Sequence, residues 1–209
     1  MNIIGTRYAS GKTILMLCVV QVITACLHVQ QAMSPPDLHY AYSQAIKDAE
    51  VAQYDEISRN LVAIVPSNDA LRWNNDYGEV LVATWTSWDG YDDRVRSTMT
   101  LSRELWVTAV PEVKAFCREQ HITPAQIALR LKQLLGLPPA SEKTKFVEMW
   151  ADPNDLFRPS PDPEVSDHEA ELDFPVSHQF VTVSEPHQQW FRELKKKSYG
   201  QQGYPWTRL

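Results

Sequence analysis

The apolar positions of this chain follow two rhythms, one of period two and one of helical period, and each rhythm marks elements. From Glu79 to Thr86 (EVLVATWT) the chain is rich in β-branched and aromatic residues, and alternation puts Val80, Val82, Thr84 and Thr86 on one side of a strand. Leu105–Val110 and Lys145–Trp150 read as further strands, as does Gln179–Val183, and Ala70–Trp73 reads as a short one turned back through Asn74–Gly78. Helical spacing predicts a helix from Leu38 to about Gln53, with Ala41, Ala45, Ile46, Ala49 and Ala52 available for a packed face. The segment Tyr54–Val65 fits a second helix or a short strand equally well, and Pro66–Asp69 breaks it.

The later helices are marked at their ends. Pro111 can open a helix running to about His121. Thr123 and Gln126 are spaced as a capping box, with Pro124 at the first helical position. Ile127, Leu131, Leu134 and Leu135 then form one apolar stripe, Gly136 can end the helix in a left-handed cap, and Pro138–Pro139 prevent its resumption. Ser184 caps a final helix from Glu185 to about Lys197, where three lysines sit at the negative end of the helix dipole. Strands joined by turns, with helices between them, predict an α+β domain. Its expected form is an antiparallel sheet of about four to five strands, with helices packed mainly on one face.

One apolar run obeys neither rhythm. Thr13–Ala25 (TILMLCVVQVITA) is thirteen residues long and is interrupted by Gln21. A spanning helix needs about 18–20 apolar residues, whereas the core of a secretory signal needs roughly 7–15. Arg7 and Lys12 supply the positive front end, and Ile23-Thr24-Ala25-Cys26 closes the run. This order resembles the signal and lipobox of bacterial envelope lipoproteins. The resemblance implies cleavage after Ala25, a diacylglycerol on the Cys26 thiol and acylation of the new amino group. Each buried methylene contributes about 0.8 kcal/mol, so two or three chains hold a protein at a membrane where one does not. Leu27 after the cysteine would fit onward transport to the outer membrane in many Gram-negative bacteria. The expected organisation is then a signal over 1–25, a tether over 26–36, and one domain over 37–209 that contains an acidic, proline-rich loop at 152–174. A phosphate-binding loop at Gly5–Thr13 fails on spacing: five residues separate Gly5 from Gly11-Lys12 where the cradle needs four.

Charge narrows the partners. Removing residues 1–25 takes away Arg7 and Lys12 and no acid, which lowers the formal charge from −6 to −8. A negative surface argues against nucleic acid. With Cys18 lost and Cys26 acylated, Cys117 is left without a disulfide partner in the same chain. A nucleophilic role for it would need an activating neighbour such as His121.

The chemistry-bearing residues concentrate in two places. Asp152, Asp155, Asp162, Glu164, Asp167, Glu169, Glu171 and Asp173 crowd eight carboxylates into the loop, with Arg158 and His168 as the basic residues among them. Such density reads first as a solvated acidic loop and next as a surface that docks a partner. Asp162, Glu164 and Asp167 are the candidates for a divalent cation, the one cofactor this composition suggests, although the spacing is not that of an EF-hand. Asp162, Asp167, His168 and Glu169 are the candidates for general acid–base work, although no pair is singled out. Trp85, Trp88 and Tyr91 bracket Asp89-Gly90; they form either a hydrophobic cluster at a hairpin end or a platform for a sugar or peptide. The expectation is a lipid-anchored envelope protein that binds or scaffolds without catalysis, its partner another envelope protein or a glycan. The alternatives are a cation-assisted hydrolase built on 152–173 and a glycan-binding module built on the three aromatics.

Overall fold

A computed structural model describes residues 34–119, 123–175 and 182–200. The signal, the lipobox with Cys26, most of the tether, His121 and residues 179–181 lie outside the described residues. No helix among the described residues is long and apolar enough to cross a membrane.

The domain is α+β. Its helices are α1 (Pro35–Glu50), α2 (Glu112–Glu119), α3 (Pro124–Leu134) and α4 (Glu185–Gly200), and its strands are β1 (Val80–Thr86), β2 (Thr108–Ala109) and β3 (Lys145–Ala151). The strands form one antiparallel sheet in the order β2-β1-β3. The described residues therefore supply three of the four to five expected strands. Of the segment 70–73, only Trp73 forms a bridge, to Val80. The strand expected over 105–110 pairs only at Thr108 and Ala109.

Several local signals act as the sequence suggests. Ser34 and Asp37 cap α1 reciprocally, Ser34 Oγ accepting from the Asp37 amide at 3.4 Å and Asp37 Oδ2 accepting from the Ser34 amide at 3.3 Å. Thr123 and Gln126 do the same for α3. Past α3, Gly136 sits at φ 64°, its amide reaching Gln133 O at 3.3 Å while the Leu137 amide reaches Lys132 O at 2.7 Å. That pair of bonds is a Schellman closure.

Other segments behave differently. The covered stripe of α1 is Leu38, Tyr42, Ile46 and Ala49, while Ala41 and Ala45 face solvent. The helix packs against α4, where a narrow stripe of larger residues is covered. Tyr54–Val65 is neither a helix nor a strand of the sheet. After a 3-10 turn at Tyr54–Glu56 it runs extended, burying Leu61 and Ala63. Its amides bond to the acidic loop instead, Leu61 N to His168 O at 2.9 Å and Ile64 N to Val165 O at 2.7 Å.

The core lies on one face of the sheet. Val80 and Val82 of β1 pack with Leu71, surrounded by Val62, Ile64, Trp73, Ala109, Met149, Ala151 and Leu156. Irregular chain, rather than helices, covers that face. On the other side α2 lies along β2.

Candidate functional site

The acidic loop is solvated only in part: Asp152, Asp155, Asp167 and Asp173 are exposed, while its middle folds inward. Arg158 is 9% exposed and Asp162 7%, and Ser160 and Ala170 are also buried. The reason is the Arg158 guanidinium, which gathers the loop around itself. It pairs with the Asp167 carboxylate and donates to Asp167 O at 2.5 Å, Glu169 O at 2.7 Å and Val62 O at 3.5 Å. Five rigid donors suit a guanidinium to several carbonyls at once in a way an ammonium does not match.

The candidate acid–base and cation residues are drawn into the same scaffolding. Asp162 Oδ1 accepts from the Glu164 amide at 3.0 Å, closing a tight turn, and Ser160 donates to Asp162 O. Glu164 accepts from Ser166. Asp167 Oδ1 accepts from the Glu169 amide at 3.2 Å, and the Glu169 carboxylate pairs with Arg59 at 3.3 Å. His168 Nδ1 lies 2.7 Å from Leu61 O, which ties the loop to the extended 61–64 segment. His187 at the start of α4 reaches Ser160 O with Nε2 at 2.9 Å, and Phe157 meets both His187 and Trp190 edge-on. Among the described residues, no three His, Cys, Asp or Glu side chains are grouped to hold a metal ion.

The three aromatics of the hairpin end separate. Tyr91 is buried, and Trp88, 50% exposed, meets it edge-on at 4.6 Å between ring centroids with an interplanar angle of 82°. Gly90 lies directly beneath the Trp88 ring, where a Cβ would collide with it. Trp85 instead stacks on Phe146 across the β1–β3 pair, 5.6 Å apart and 6° from parallel. The three rings therefore do not share one flat platform.

Of the residues that do share a surface, the sequence singled out Trp85 but not Phe146, Glu148 or Trp150. On the side of the sheet away from the core, β1 presents Leu81, Ala83 and Trp85, and β3 presents Phe146, Glu148 and Trp150, directly opposite in register. Phe146 is 41% exposed and Trp150 47%. Where α2 approaches this face it leaves a cavity of about 280 Å³, lined by Ala83, Thr108, Val113, Cys117, Phe146 and Glu148 among others. Lys114 of α2 pairs with Glu148 at its rim. Burial pushes the Cys117 thiol above its ordinary value, which makes it a poorer nucleophile at neutral pH. The signal for this surface was the alternation in KFVEMW, which sets Phe146, Glu148 and Trp150 on one side of a strand; whether that side is covered depends on the rest of the fold.

No family model matches the chain, and comparison with curated proteins and with solved structures finds no match.

Proposed function

We propose that this is an exported envelope protein, lipid-anchored at Cys26, whose domain works by binding rather than catalysis, and whose contact surface is the outer sheet face around Phe146 and Trp150. One contrast carries the reading. Arg158, Asp162, Asp167 and His168 of the acidic loop are engaged with backbone groups, whereas the large apolar side chains of β3 stand half-open on a regular strand. Side chains fixed on a sheet lose little freedom on binding, and aromatic anchors supply much of the energy of protein contacts. A hydrolase built on Asp162, Asp167, His168 and Glu169 draws less support, because those groups serve the turns and ties of the loop. The segment 70–73, bridged to β1 at Trp73, would count as a fourth strand lying in line with β2.

Two measurements test the proposal. Labelling of the native host with a fatty-acid analogue should mark the wild-type chain and leave Cys26→Ser unmarked; label on both would remove the anchor. An envelope partner captured by the wild type should be lost from Phe146→Ala/Trp150→Ala and kept by Asp155→Asn. Equal capture by all three would remove the contact surface.

A further inference from the structure

The direction of the backbone groups in β1 fixes which groups β3 leaves open. Leu81 donates its N–H to Arg72 O at 2.8 Å and accepts at its carbonyl from the Val110 amide at 3.0 Å, so both of its groups point toward the β2 side. In an antiparallel ladder the two groups of one residue point the same way and successive residues alternate. Val80, Val82 and Thr84 therefore point toward β3, and their partners Ala151, Met149 and Val147 point back. That leaves the N–H and C=O groups of Phe146, Glu148 and Trp150 directed outward, along the edge of the sheet. No other described residue makes a backbone hydrogen bond to them. A seven-residue edge bearing exposed aromatics is a template for another strand.

Two copies of this strand can be paired so that aromatic residues meet on the outer face and apolar residues on the inner one. We infer that β3 pairs antiparallel with β3 of a second copy about a two-fold axis at Glu148, joining two three-stranded sheets into one of six strands. Antiparallel pairing that keeps inner residues opposite inner ones allows registers two residues apart. The register centred on Glu148 sets Phe146 opposite Trp150 of the second copy on the outer face, and Val147 opposite Met149 on the inner face. Each outward-pointing residue then exchanges both of its bonds with its opposite number. It also extends the Trp85–Phe146 stack into a row that runs Trp85, Phe146, then Trp150 and Leu81 of the second copy. Shifting the axis by one residue would place Glu148 against Phe146 or Trp150 and break the row.

The cost of this register is two Glu148 carboxylates facing each other, and like charges directly opposite are unfavourable. Here each carboxylate brings its own Lys114, paired with it across the α2 groove, so the row through the axis runs Lys114, Glu148, then Glu148 and Lys114 of the second copy and is neutral as a whole. The inference names the partner of the face proposed above as a contact surface and rests on that reading.

Cross-linking of the full chain in its host tests the register. In an antiparallel hydrogen-bonded pair, opposite Cα atoms lie about 5.5 Å apart, within disulfide reach. In a Cys117→Ser background, Glu148→Cys should form a disulfide between copies under oxidation. Phe146→Cys and Trp150→Cys, each offset from its own counterpart by about 13 Å along the strand, should do so roughly tenfold less. No disulfide at 148 in folded protein, or equal yields at all three positions, overturns the pairing; the capture experiment above judges the contact face separately. As a second measurement, Lys114→Glu should weaken self-association of the detergent-solubilised chain roughly tenfold, and Lys114→Glu/Glu148→Lys should restore it. Indifference to Lys114→Glu, or failure of the swap to restore, also overturns it.

Discussion

Arg158 and Asp167 are joined twice, once through the Asp167 carboxylate and once through its backbone carbonyl. The second bond matters more for stability. The Asp167 side chain is 48% exposed and its ion pair is screened by water, whereas the guanidinium is 10% exposed and also serves the carbonyls of Glu169 and Val62. Arg158→Ala should therefore cost about 2–4 kcal/mol, because it leaves three half-covered carbonyls without their donor and removes a buried side chain. Asp167→Ala should cost only about 1 kcal/mol. Urea unfolding of the two variants checks the ordering; equal losses would mean the ion pair, rather than the carbonyls, dominates. Arg158→Lys should fall between them, since one ammonium cannot reproduce the fork.

The left-handed backbone at Gly136 gives a second expectation. At φ 64° a Cβ meets the neighbouring carbonyl, and the Schellman bonds that close α3 require that conformation. Gly136→Ala should lower stability by about 1–2 kcal/mol, and Gly136→Asn by less, because asparagine tolerates this region. Thermal melts of both variants decide it. An unchanged midpoint for the alanine variant would show that the cap contributes nothing.

These two positions mark where sequence reasoning works and where it stops. Gly136, the Ser34 and Thr123 caps and the alternation in β1 are local: the residues that cause each feature lie within a few positions of it, so one stretch of sequence contains the whole argument. Arg158 is not local in this sense. Its partners sit nine, eleven and ninety-six residues away, and nothing in the run of carboxylates shows that the loop folds inward around a buried cation. The packed side of α1 was ambiguous for a related reason. Several alanines offer a face, and the packing against α4 covers Leu38 and Tyr42 beside the expected Ile46 and Ala49 while leaving Ala41 and Ala45 outside. Phe146 and Trp150 were legible as neighbours on one side of β3 but not as exposed, since exposure depends on what the remainder of the chain leaves uncovered.

Cys117 should react in the manner of a sheltered thiol. Burial disfavours the thiolate and raises the folded-state value above that of a free cysteine. At any pH below that value the folded chain holds less thiolate than the unfolded chain, so alkylation of the Cys117 peptide should be slower in native protein. Its pH profile should also be displaced upward relative to protein in urea. The linked effect on stability has a definite sign. The folded state keeps its proton to higher pH, so the contribution is fully present below the ordinary thiol value and is lost as pH rises through the folded one. Peptide-resolved alkylation rates between neutral and strongly alkaline pH measure the displacement; superimposable native and denatured profiles would contradict it.

Lys145 opens β3 and holds the segment that follows β1. Its Nζ donates to Asp89 Oδ1 at 2.8 Å and to both oxygens of Asp92 at 2.5 and 2.7 Å, fastening the 3-10 turn Asp89–Arg94 beside the strand. Hydrogen bonds to Asp89 and then Asp92 raise its value above that of a free lysine. The sign follows from the charged form being the bonded one. The clamp is complete below the ordinary lysine value and is released as pH climbs through the raised one. Nitrogen-detected titration of the lysine side chains should find the Lys145 midpoint above the rest, and Asp92→Asn should move it back toward them. The same titration should shift the ring signals of Trp88 and Tyr91, which ride on the clamped turn, in step with Lys145. An unshifted Lys145, or ring signals that ignore its titration, would show that the turn is held by the Trp88–Tyr91 packing alone.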